Sequence, residues 1–217
     1  MCDQVNYREQ AEEVAAALQN YCKDTEWTTS KQTADFKIFY KRSPEFEGYL
    51  YKGEAVYAAK PKVVFDYVEP LPSGPRAKWD KNMKKIEIIK QIEDDLRINR
   101  ACTSSACMGL ISPRDFVDLI LIKETDEYLS TNAKSVVCSD CPQDKEHVRG
   151  VNHKCGMIVF KYPNEPNKCK LVSLIQPDTK GHIPRSLQDA AIPGSMIEFF
   201  TQLRETLAKD GQLYEQD

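Results

Sequence analysis

Two groups of residues in this 217-residue chain have the types and spacing to do chemistry. The first is Cys138-Ser-Asp-Cys141, followed by His147, His153 and Cys155. A CxxC pair with downstream histidines is a zinc pattern when a second, well-spaced ligand pair completes it. The available second pair, His153-Lys-Cys155, is too tight, and a polar loop that holds two thiols explains the segment without metal. The same thiols and imidazoles supply the cysteine–histidine combinations for nucleophilic catalysis, and no spacing supports one. GxSxG, GxGxxG and P-loop motifs are absent. No metal, no cofactor and no enzymatic activity are therefore expected. The second group is Ser112-Pro113-Arg114-Asp115 and the apolar run behind it, Phe116 to Ile122, broken by Asp118 alone. Such a run, rich in β-branched and aromatic residues and preceded by a turn signal, reads as a strand buried on both faces. Asp118 is then either a satisfied core carboxylate or a group facing a cavity.

The elements that must position these residues follow from periodicity. Ala11, Val14, Ala15, Leu18, Tyr21 and Cys22 recur at helical period, with Glu9, Glu12 and Glu13 near the start, where the helix dipole favours them. Trp27–Gln32 reads as a short strand. Alternation at Phe36, Ile38 and Tyr40, and again at Tyr49, Tyr51, Gly53, Ala55 and Tyr57, predicts two more. Pro61 opens a short helix that the prolines from Pro70 on terminate. Further strands are predicted at 85–92, 96–101, 116–122, 129–137, 151–162 and 170–176. The segment 102–112 has neither period and reads as a compact loop with an apolar tip. From Pro184 on the period is helical again, through Ile192, Met196, Phe199, Phe200, Leu203 and Leu207, with Gly211 as the stop. Strands and helices do not alternate, so the class is α+β. A large curved antiparallel sheet gripping one C-terminal helix would enclose a space.

Composition bounds the function. A net charge of −3 gives no electrostatic case for nucleic acid. The start, MCDQVNYREQ, does not read as a signal peptide, and no apolar stretch reaches the ~18 residues of a spanning helix. Cys2 and the end YEQD indicate neither myristoylation nor prenylation. Eight scattered cysteines fit free thiols. The expectation is one domain over 1–217, cytosolic and monomeric, since no heptad suggests association.

Several blocks together carry a resemblance. They are Lys78-Trp79-Asp80, Leu110-Ile-Ser-Pro-Arg-Asp-Phe-Val-Asp118, Arg149-Gly150 with Asn152-His153, Asp178-Thr-Lys-Gly-His-Ile-Pro184, and Pro193-Gly-Ser-Met196, read as opening the last helix. In this order and spacing the chain resembles the START family, the steroidogenic-acute-regulatory-related lipid transfer domains, and within it the small single-domain subgroup. The resemblance implies a helix-grip fold with one lipid in an internal tunnel. It implies a gate at Cys107, Met108, Gly109, Leu110 and Ile111, at Gly181–Pro184, and on the last helix at Met196, Phe199 and Phe200. It also implies transient contact with membranes. Sterol-binding relatives of the founding type place an acid and a base in the tunnel, where this chain has Ala101 and Ile120, so that ion pair is missing. The remaining candidates for the tunnel are Trp79, Asn99, Arg100, Thr103, Ser105, Asp118, Asn132 and His153, while Arg114 and Asp115 are assigned to fold-specifying networks. By analogy with the subgroup, the expected ligand is a sterol, oxysterol or bile acid, with a phospholipid or a purely lipid-sensing role as alternatives. Asp118 lies one strand period before Ile120, so both should face the same side.

Overall fold

The computed structural model describes residues 6–105, 112–181 and 183–214. Helix α1 (Tyr7–Lys23) is capped by Asn6, whose side chain accepts from the Glu9 amide, and buries the stripe Ala11, Val14, Ala15 and Leu18. The meander β1 (Thr28–Gln32), β2 (Phe36–Arg42) and β3 (Tyr49–Tyr57) follows. Next come α2 (Pro61–Val68), with Pro61 in its first turn, and α3 (Arg76–Trp79). The chain then forms β4 (Met83–Glu93), β5 (Leu96–Thr103), β6 (Arg114–Glu124), β7 (Tyr128–Ser135), β8 (Val148–Arg149), β9 (Val151–Asn152), β10 (Cys155–Tyr162), β11 (Glu165–Ile175), β12 (Pro177–Asp178) and α4 (Arg185–Lys209).

The main sheet runs β1-β2-β3-β11-β10-β7-β6-β5-β4, antiparallel at each step, with β8 added parallel to β6. Its edges β1 and β4 do not meet, so the sheet is curved but open. Successive side chains point to opposite faces, and the two faces are covered differently. On the outer face α1 packs on Ile98, Val117, Leu119 and Leu121 and, further along, on Ile158, Val172 and Leu174. On the inner face α2 and α4 share one core with Phe36, Ile38, Tyr51, Tyr57, Val159 and Leu171. Two glycines permit these approaches. A Cβ on Gly53 would lie 2.5 Å from Phe200 Cε2, and one on Gly156 would lie 2.8 Å from Leu18 Cδ1.

Two expectations are corrected. The predicted strand 151–162 is two strands, because β9 pairs with β12 and the His153 amide donates to Gln176 O, which turns the chain before β10. The last helix does not open at Pro193. It opens at Arg185, where the Leu187 and Gln188 amides donate to Pro184 O and Gln188 Nε2 to Ile183 O. Pro193 therefore sits inside α4, where it has no N–H to donate to Asp189 O.

Candidate functional site

Strand register assembles the site. Asn99 lies opposite Asp118, Arg97 opposite Ile120, and Ala101 opposite Phe116. Ile120 in turn faces Ala133, and Ala133 faces Cys155. Alternation places Arg97, Asn99, Ala101, Asp118, Ile120, Ala133 and Cys155 on the inner face together. Ile120, Ala133 and Cys155 form a cluster separate from the main core. They are buried at 5 %, 8 % and 8 % exposure, and outward-facing Leu119 and Leu121 beside Ile120 on β6 keep 0–1 %. Ala101 is half-buried in mid-strand. Helix α4 lies against β2 and β3 rather than against this strip. The inner wall here is lined by short apolar side chains and is set apart from the core under α2 and α4.

Polar groups on this wall are few and specifically held. Asp118 accepts from Ser135 Oγ at 2.7 Å and from Asn152 Nδ2 at 2.7 Å. Burial outweighs these bonds and pushes its carboxyl up to about 6. Asn99 Nδ2 donates to Pro70 O at 2.7 Å, and Arg97 Nη2 to Glu69 Oε1 at 2.9 Å. Thr103 Oγ1 accepts from the Arg114 amide. Trp79 Nε1 donates to Tyr67 O at 2.9 Å, and its ring packs on Phe199 with centroids 5.1 Å apart.

Other candidates lie elsewhere. Arg100 is one residue out of phase with Asn99 and Ala101, so it points outward and pairs with Asp115 and Asp144. Asn132 likewise points outward and donates to Leu121 O and Ser130 Oγ. His153 stacks on Phe46 at 4.4 Å beside Glu45, and burial lowers its pKa. Its surroundings are the Glu45–Gln176 hydrogen-bond network, not the strip. Ser105 is exposed past the end of β5. Cys107, Met108, Gly109, Leu110 and Ile111 lie outside the described residues. Met196 and Phe200 are buried over Gly53. Asp115, fully buried, takes Arg149 in two bonds of 2.8 and 2.9 Å and Arg100 in a third, and these hold its carboxyl below the usual range against its burial. Arg114 donates to the carbonyls of Ser112, Thr179 and Lys180. Among the described residues no cluster of His, Cys, Asp and Glu could hold a metal, and no helix is long and apolar enough to cross a membrane. Sequence reasoning missed Arg97, Ala133 and Cys155. Arg97 was in plain phase with Asn99 and Ala101, but Ala133 and Cys155 needed the strand register.

Comparisons with known proteins bear on the family and the fold. A START domain profile matches residues 8–212. StAR-related lipid transfer protein 5 of Mus musculus is 40% identical over 203 residues, 93% of this chain and 95% of that one. The Homo sapiens protein of the same name is 39% identical over 199 residues, 91% and 93% of the two chains. The solved structure of human StAR-related lipid transfer protein 5 superposes with a TM-score of 0.89 at 36% identity, covering 94% of this chain and 98% of that one. With its open antiparallel sheet gripping a C-terminal helix, the chain belongs to the START domain family.

Proposed function

We propose that the chain is a lipid carrier that holds one sterol-like molecule between the β5–β7 wall and α4 and transfers it between membranes. The observation that carries this is the strip Ala101, Ile120, Ala133 and Cys155, short apolar side chains on the sheet's covered face and apart from the main core. The lipid-transfer names of its relatives support it. Burying on the order of 300–400 Å² of ligand apolar surface would supply ~8–10 kcal/mol before association costs, enough for micromolar or tighter binding with no covalent step. A sterol, oxysterol or bile acid fits better than a phospholipid, because the strip offers isolated polar groups rather than a cluster of free cations. The carrier acts in the cytosol as a monomer, without metal or cofactor, and touches membranes transiently. Membrane contact falls to the end of the sheet where β5 leaves for the β6 connection. There Lys78, Lys81 and Lys84 are exposed beside Thr103.

Native mass spectrometry tests the reading. Incubation with cholesterol, 25-hydroxycholesterol, a bile acid and phosphatidylcholine is expected to give a one-to-one adduct with a sterol. Ala101→Glu with Ile120→Arg should abolish it in a protein that still folds. An adduct untouched by that double change would put the cavity elsewhere, and a phosphatidylcholine adduct alone would overturn the sterol reading.

A further inference from the structure

Two buried polar atoms on the inner wall have no hydrogen-bond partner among the described residues. They are Arg97 Nε, on a residue 4 % exposed, and Asn99 Oδ1, on a residue 2 % exposed. They belong to side chains two positions apart on one strand, so both project from the same face of β5. Their orientations are fixed from behind. Asn99 Nδ2 donates to Pro70 O, and a carbonyl can only accept, so the amide oxygen must be the free end. Arg97 Nη2 is engaged by Glu69, which also neutralises the guanidinium. One free donor and one free acceptor thus lie side by side on β5, opposite Ile120 and Asp118. Leaving either unsatisfied in a buried wall is costly.

Resting on the sterol-carrier reading, we propose that Arg97 Nε and Asn99 Oδ1 form the polar subsite that reads the ligand's ring hydroxyl. A hydroxyl is the group that both accepts and donates, so it satisfies both atoms at once. A carboxylate only accepts. It would face the Asn99 carbonyl oxygen and the Asp118 carboxylate opposite, with Arg97 already committed to Glu69. The subsite therefore selects a neutral hydroxylated sterol over an anionic one, and it stands in place of the ion pair that Ala101 and Ile120 do not make.

The test compares 5α-cholestan-3β-ol with 5α-cholestan-3-one as competitors of dehydroergosterol fluorescence on the full chain. The ketone can accept from Arg97 but has nothing to donate to Asn99. Expected is a preference for the alcohol of roughly tenfold or more, weak competition by deoxycholate, and collapse of the alcohol–ketone gap in Asn99→Leu. Arg97→Lys, which keeps the charge opposite Glu69 but lacks Nε, should weaken the alcohol too and serves if the leucine variant does not fold. Equal competition by alcohol and ketone, or a gap that persists in Asn99→Leu, would overturn the subsite and leave the sterol reading standing. If dehydroergosterol itself does not bind, the sterol reading fails first, and the subsite falls with it.

Discussion

At the residue scale the wall's most consequential group is Asp118. Its folded-state pKa, about 6, lies above the ~3.9 of a free aspartate. The folded protein is thus the proton-richer state between those values, and stability must fall as pH rises through that window. Above it, ionised Asp118 costs roughly 2–3 kcal/mol relative to its neutral form. Asp118→Asn does not titrate, so urea unfolding at pH 4 and pH 7 should show the variant gaining about that much on the wild type at the higher pH. A constant difference between the two proteins would mean that Asp118 does not change its charge in this range. How much of the site was legible at this scale depended on one rule. Alternation put Asp118 with Ile120, and carried on to β5 it would have placed Arg97 and Asn99 with Ala101 and excluded Arg100. Asn132 was different: its side was decided by the pairing of β7 with β6, which a single strand's pattern does not contain.

At the element scale the critical fit is α4 on β3. Phe200 and Met196 sit over Gly53, where a Cβ would lie 2.5 and 2.9 Å from their side-chain atoms, and Tyr57 Oη donates to Phe200 O from the same strand. Gly53→Ala must push the helix outward or twist Phe200 from its rotamer, which costs about 1–3 kcal/mol. A second change, Phe200→Leu, should recover part of that loss, so the two are non-additive in thermal melts. If the alanine variant melts with the wild type, the close approach is not a constraint on the grip. Most elements were readable because period and boundary signals agreed: α1, β2, β3 and α2 lie where their apolar spacing, the early glutamates of α1 and Pro61 place them. The start of α4 was legible in the helical period from Pro184 on, against the reading of Pro193 as an opening residue. Local bonds from Gln188 and the Tyr51–Asp189 contact sustain two helical turns before it. The break at 153–154 depended on β12, some twenty-five residues further along the chain.

On the scale of the whole molecule, charge is unevenly spread in a way that matters for a carrier. The chain is net negative, −3, and would be repelled weakly by an anionic bilayer if it approached at random. Yet Lys78, Lys81 and Lys84 crowd one end, where Met83 pairs with Thr103 and the Lys81 amide is fixed by Gln202 of α4. Each lysine near an anionic surface contributes about 1 kcal/mol, within a Debye length of ~10 Å at 0.1 M salt. Such a patch cannot anchor the protein, but it can orient it, with the Thr103 end of β5 and the contact of α3 with α4 toward the lipid. Sterol transfer between vesicles should therefore speed up when the acceptor contains phosphatidylserine and slow down with added salt. Lys81→Glu with Lys84→Glu should remove that dependence, lowering vesicle affinity about tenfold or more, while sterol affinity in solution stays unchanged because neither side chain faces the strip. Transfer indifferent to anionic lipid in the wild type would mean that opening of the protein, not its docking, sets the rate, and the lysines would then be an ordinary solvated edge.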